Sequence, residues 1–223
     1  MKVSAIIPAY NEAERLGATL MALQSLEQVD EYIVVDDGSV DGTGYIAFEH
    51  GARVIRLNHR HGKGYALRAG ASVASGDVLL LLDADLGHSA MYAEALLAPI
   101  LDNRSDLSIA VLPQVQHKGG FGIVKYTARA GIRALTGREV QEPLSGQRAL
   151  KKELWQLLSK DPSAWGQEVY LTIEALKRGL RVMEVPVAFS HRLTGRGAKD
   201  WAHRGAQLRD VVGALWRQWR RSS

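Results

Sequence analysis

The stretch DVLLLLDADLGH, residues 77–88, constrains the fold more than any other part of the chain. Five consecutive apolar side chains, Val78 to Leu82, show no polar alternation, so both faces of a strand at this position must be covered. Strands of that kind lie in the middle of parallel sheets, whose crossover helices pack on both sides. The run then ends in two aspartates separated only by Ala84. A buried strand does not need carboxylates at its tip, so something beyond the tip must offset their charge.

The flanking sequence repeats the same strand-then-helix order. Lys2–Pro8, Glu31–Val35, Arg53–Leu57, Asp77–Leu82 and Leu107–Leu112 read as short apolar strands. Between them, Glu12–Leu26 carries Leu16, Leu20, Leu23 and Leu26 at helical spacing, and Ser39 or Asp41 can cap a helix running to about His50. Further helices are expected over Tyr65–Ala74 and Ala90–Leu101, with the basic glycine-punctuated loop NHRHGKG before the first of these. This alternation predicts an α/β fold with a mostly parallel, doubly wound sheet and helices on both faces, which places ligands at the carboxyl ends of the strands. The second half is less regular. Gly119–Thr136, Lys151–Leu158, Glu168–Lys177 and about Trp201–Arg220 read as helices, PLSGQRAL as a turn into a short strand, and Leu180–Phe189 as a strand.

With 223 residues and no cysteine, the chain must fold on packing alone, as one domain. Its organisation reads as a nucleotide-type half over about 1–112, a partner-binding half over about 113–200, and a basic C-terminal helix over 201–223. No run approaches the ~20 apolar residues of a membrane span, nor does the N-terminus resemble a signal peptide, so a soluble, cytoplasmic protein is expected. The net charge of +4 has its excess late in the chain, at Arg192, Arg196, Lys199, Arg204, Arg209, Arg217, Arg220 and Arg221, which favours anionic partners.

On an extended strand Asp83 and Asp85 point to one side and Ala84 to the other, a natural site for a hard divalent cation. Asp36 and Asp37 end another strand, in VVDDGSVDGT, so four aspartates converge on one rim. Left alone they repel by about 1 kcal/mol per close pair in water and more in a dry cleft. A cation, or hydroxyl and N–H donors, would remove that penalty. The turn after the first strand reads PAYNEAE; lacking glycine, it is neither a GxGxxG dinucleotide turn nor a P-loop.

At this point the chain resembles the GT-A glycosyltransferases of family 2. The matching segments are IIPAYNE (6–12), VVDDGSVDGT (34–43), GKGYALRAG (62–70), SGDVLLLLDADLGH (75–88), PLSGQRAL (143–150), WGQEVYLTIEALKRG (165–179) and HRLTGRG (191–197), in family order. The resemblance implies a nucleotide-diphosphate sugar donor, with Pro8, Tyr10, Asn11 and Glu12 lining the nucleoside pocket and Asp36 or Asp37 accepting the base N–H. It implies that Lys63 reaches the base or diphosphate, that Asp83 lies near ribose and metal, and that Asp85 and His191 ligate Mn²⁺ or Mg²⁺. The cation, Lys63 and Arg196 would stabilise the departing diphosphate. His88 competes with His191, although by position it can cap the following helix.

The acceptor is less legible. Glu168 stands where inverting members carry an acidic pair whose aspartate is the base; here the pair is Gln167–Glu168. A sugar hydroxyl needs such a base, whereas a lipid phosphate is already ionised. The segment 117–137 followed by PLSGQRAL is similar to dolichol-phosphate mannosyltransferases, which implies that Lys118, Lys125, Arg129 and Arg148 receive a polyprenyl phosphate. Gly87 replaces their metal-side glutamine, and HRLTGRG replaces their later basic segment. His191 is shared instead with enzymes resembling glucosyl-3-phosphoglycerate synthase, which retain configuration; inversion is the first expectation and retention the alternative. Leu208, Val211, Val212, Leu215, Trp216 and Trp219 recur at helical spacing among arginines, so the last helix either lies on anionic lipid or covers the protein's own core. A nucleic-acid partner is not expected, because the aspartate rim repels phosphate unless a metal is present, and because the aromatics are not interleaved as stacking platforms. A noncatalytic nucleotide-binding protein on the membrane surface is the rival of another class.

Overall fold

The computed structural model describes residues 1–112, 121–158, 166–190 and 198–220. A seven-stranded sheet runs through it: β1 (Val3–Ala9), β2 (Glu31–Asp36), β3 (Arg53–Arg56), β4 (Val78–Leu81), β5 (Leu107–Val111), β6 (Arg148–Lys151) and β7 (Val182–Pro186), in the order β3-β2-β1-β4-β6-β5-β7. Neighbours pair in parallel except at β6, which is antiparallel to both β4 and β5. The mostly parallel, two-faced sheet expected from the sequence is therefore present, with one reversed strand wedged into it.

The helices are α1 (Ala13–Gln24), α2 (Thr43–Glu49), α3 (Lys63–Val73), α4 (Glu94–Leu101), α5 (Phe121–Thr136), α6 (Lys152–Leu158), α7 (Gln167–Lys177) and α8 (Ala198–Arg220). The unbroken apolar run around β4 has a direct explanation. Val78, Leu80 and Leu82 point into a core shared with α1, α2 and α4, while Leu79 and Leu81 point into a second core against α3, α5, α7 and α8. All five are at most 2 % exposed, each contributing about 1.5–3 kcal/mol by burial.

Four local departures bear on the site. β4 stops at Leu81, so Asp83 lies beyond the strand and Ala84 and Asp85 lie in a turn. The expected helix over Ala90–Leu101 is a 3-10 segment over Gly87–Ala93 that passes into α4. Lys63 is not a loop residue: Gly62, at φ 94, ends the loop and Lys63 opens α3. The strand expected over Leu180–Phe189 is shorter, although Val187 and Phe189 beyond it are buried. Among the described residues no helix is long and apolar enough to cross a membrane.

Candidate active site

The turn after β4 is fixed from beneath by Thr19 of α1. Its hydroxyl donates to the Ala84 carbonyl (2.8 Å) and accepts the Gly87 N–H (2.8 Å), and Thr19 itself is wholly buried. Its signal in the sequence is a lone polar residue on the Leu16–Leu20–Leu23 face of a helix. Ala84 packs into the first core, which leaves the two flanking aspartates on the open side.

Asp83 meets two partners there. The Lys63 ammonium is hydrogen-bonded to Oδ1, and Gln147, at the entry to β6, donates its Nε2 to Oδ2 at 2.5 Å. Gln147 is 2 % exposed, and its own Oε1 accepts from the Ser145 hydroxyl at 3.2 Å. Sequence reasoning singled out the PLSGQRAL segment but missed this role. Gly146 makes room for the contact: a Cβ there would lie 2.2 Å from Lys63 Nζ. Burial alone would lower the Lys63 pKa, but the carboxylates of Asp83, Glu168 and Asp85 outweigh it and hold the ammonium above its ordinary value. Burial pushes the Glu168 carboxyl above the usual range, against the opposing pull of Lys63 and Arg148. One lysine thus faces three carboxylates, two of them the all-oxygen pair that suits Mg²⁺ or Mn²⁺. Among the described residues no three carboxylates or imidazoles gather at metal-binding spacing; His191 and Arg196, expected as metal ligand and diphosphate contact, lie outside the described residues.

The other expected aspartates have different work. Asp36 is 1 % exposed and accepts the Ser39 N–H (2.8 Å), with Arg56 Nε 3.8 Å away. Asp37, 4 % exposed, accepts the N–H groups of His61 and Gly62, both at 2.7 Å. The rim penalty foreseen for unpaired carboxylates is therefore relieved by the protein's own amides. Asp37 pins the 58–62 loop against the end of β2, while Asp36 holds the turn at Ser39. Gly38 permits that approach, since at φ 79 a Cβ would stand 2.8 Å from the His59 backbone. The loop carries stacked rings, His59 on His61 (4.0 Å) and His61 on Tyr65 (4.4 Å), and Arg60 covers the Tyr10 ring at 4.4 Å.

The turn after β1 is laced to the turn after β2. The Asn11 N–H donates to the Ser39 hydroxyl, the Val40 N–H to Asn11 Oδ1, the Glu12 N–H to Thr43 Oγ1 and the Ala13 N–H to Asp41 Oδ2. Pro8, in β1, is paired with Val35, and Tyr10 is 38 % exposed at the mouth of this region. Asn11 holds φ 55, a left-handed conformation that asparagine tolerates.

Arg148 corrects another expectation. It is 1 % exposed and makes four hydrogen bonds: Nε to Ser145 O, Nη1 to Glu168 O and Thr172 Oγ1, and Nη2 to Pro143 O. Burial lowers its pKa to about 10, with Glu168 and Glu184 opposing. It joins the PLSG turn to α7 and has no face left for a lipid phosphate. Lys125 is paired with Glu142, and Arg129 donates to the Gln141 carbonyl, while Lys118 lies outside the described residues. Beside Glu168, Gln167 is 3 % exposed and neither of its side-chain polar atoms has a partner among the described residues.

The family described as glycosyl transferase family 2 matches residues 4–168. A dolichol-phosphate mannosyltransferase of Pyrococcus furiosus is 35% identical over 213 residues, which is 87% of this chain and 58% of the relative. A glucosyl-3-phosphoglycerate synthase of Mycobacterium tuberculosis is 31% identical over 199 residues, 79% of this chain and 61% of the relative. The chain thus spans about three fifths of the length of these two curated relatives. The crystal structure of the mycobacterial synthase with Mn²⁺, UDP and glucosyl-3-phosphoglycerate superposes with a TM-score of 0.81 at 29% identity, covering 97% of this chain and 79% of that one. The same synthase has also been solved with Mg²⁺ and UDP.

Proposed function

The chain belongs to glycosyl transferase family 2, and from that premise we propose that it moves a hexose from a UDP- or GDP-linked sugar to a phosphorylated acceptor. The observation that carries the reading is the Lys63 ammonium at the carboxyl end of β4, paired with Asp83 and facing Asp85 and Glu168. In this reading Tyr10, Asn11 and Glu12 border the nucleoside, and the 58–62 loop pinned by Asp37 closes over it. Asp83, Asp85 and His191 are the residues that would hold Mn²⁺ or Mg²⁺, which neutralises charge developing on the departing diphosphate when bound. Lys63 stays cationic at neutral pH, the state that a leaving diphosphate requires, and Gln147 keeps Asp83 turned towards it.

The acceptor reading is a polyprenyl phosphate, attacked through an oxygen that is already ionised and so needs no general base, with inversion at the anomeric carbon. The mannosyltransferase relative supports it. A lipid-borne acceptor also calls for a peripheral membrane contact. Retaining transfer to a phosphoglycerate-type acceptor is the second reading, supported by the 97% coverage of this chain on the solved synthase.

The test is a panel of UDP- and GDP-sugars crossed with polyprenyl phosphate, 3-phosphoglycerate and simple sugars, read by nucleotide release with Mn²⁺ present. One donor should turn over, and Asp85→Ala should lower kcat/KM by at least ~100-fold. Wild-type turnover in that variant would remove the metal role. Proton NMR of the product's anomeric centre separates inversion from retention.

A further inference from the structure

We infer that the outward face of α8 is a docking surface for anionic lipid. The sequence offered two destinations for the helix's apolar residues, core or lipid, and the structure divides them between both. Val211 and Ala214 are fully buried, and Leu208 and Leu215 pack against the second core beside α5 and α7. Gly131 of α5 is the seat for Leu215, since a Cβ there would lie 2.4 Å from its Cδ2. With that face satisfied, a helix of a water-soluble protein ordinarily turns a polar face outward.

α8 instead turns out Arg209, Val212, Trp216, Trp219 and Arg220, spaced three, four, three and one apart, so that they form one stripe opposite the buried face. Val212, Trp216 and Trp219 are 48, 50 and 59 % exposed. The Arg220 guanidinium lies 4.0 Å from the centre of the Trp216 ring. Among the described side chains of this helix the one carboxylate, Asp210, lies off the stripe, 3.5 Å from Arg209. α5, packed directly on α8, exposes Ile123 and Tyr126 at 68 and 74 %.

Two half-exposed indoles among arginines have the chemistry of a bilayer interface. Tryptophan rings settle at headgroup level, and arginines are drawn to anionic headgroups by about 1 kcal/mol each. A second copy of the chain is a poorer occupant, because two-fold pairing sets a stripe on itself and brings its arginines together. The surface would deliver the site to a lipid-borne acceptor and in that purpose rests on the polyprenyl-phosphate reading, but its existence is measured without turnover.

The experiment is sedimentation of the full chain with vesicles of phosphatidylcholine alone, or of phosphatidylcholine with about a third phosphatidylglycerol, together with tryptophan emission. The anionic vesicles should bind at least ~10-fold more tightly, with a blue shift that fades at high salt. Trp216→Ala with Trp219→Ala should weaken binding by ~10-fold or more at unchanged far-ultraviolet circular dichroism. Arg209→Ser with Arg220→Ser should weaken it about fivefold per residue and on anionic vesicles only. Equal or no binding to the two vesicle types, or variants that bind like the parent, would overturn the inference. So would a dimer in light scattering that the tryptophan variant dissolves. Donor turnover in solution is the separate readout: its absence beside intact vesicle binding sinks the transferase reading and leaves the surface standing.

Discussion

Replacing Gly146 by alanine separates the position of Lys63 from the stability of the fold. Gly146 lies outside the positive-φ region, so alanine is tolerated by its backbone. The new methyl would stand 2.2 Å from Lys63 Nζ and 3.3 Å from Cε, where ordinary contact begins near 3.4 Å. The ammonium must therefore retreat by roughly 1.2 Å, taking it off Asp83 Oδ1 (by the difference of those two distances, 3.4 − 2.2). A misplacement of about 1 Å at a reacting centre costs on the order of 100-fold, equivalent to about 2.7 kcal/mol of barrier. The atom displaced is the end of a flexible side chain, so unfolding should move by no more than about 2 kcal/mol. The assay is kcat/KM for the donor identified in the panel, beside thermal unfolding of both proteins. An alanine variant with the parent's kcat/KM would refute the reasoning, because it would mean that the ammonium's place does not matter to transfer.

Arg148→Ala should do the opposite, lowering stability by about 3–5 kcal/mol, roughly 6–20 °C in Tm, because it removes four hydrogen bonds and takes the donor from the buried Ser145 and Pro143 carbonyls; an unchanged melt would contradict the bracing role. Glu168→Gln should leave transfer to a phosphate nearly intact but cost 100-fold or more with a hydroxyl acceptor, where it should also abolish a pH–rate limb set above the usual carboxylate range. Asp106, held by the Arg181 side chain and backbone, has its pKa lowered from 3.8 to about 2. A depressed carboxyl stabilises above its unfolded value, so the stability difference between the parent and Asp106→Asn should be full at neutral pH and disappear as pH falls from about 4 towards 2 in urea titrations.

The strand-rich first half was legible because each of its signals is local. An unbroken apolar run predicts a strand covered on both faces, and glycine and aspartate mark its end. The direction and placement of β6 were not legible, since periodicity in four residues carries no arrow and the choice to pair with β4 and β5 is made by residues some 40 to 70 positions away. For Asp36 and Asp37 the sequence showed carboxylates at a strand tip but not what they bind. A carboxylate serves a ligand or a neighbouring loop equally well, and here the amides of Ser39, His61 and Gly62 reach them first. Thr19 and Gln147 were missed for a related reason: their importance lies in partners remote in sequence, the Ala84 carbonyl and the Asp83 carboxylate.

The reversed strand also has a bearing on how the chain is made. Until residues 148–151 leave the ribosome, one edge of β4 lacks its partner and is a row of unpaired N–H and C=O groups of the sort that templates aggregation. The peptide that finally shields that edge is preceded directly by Gln147, so the newborn molecule becomes safe from self-adhesion in the same docking event that orients Asp83.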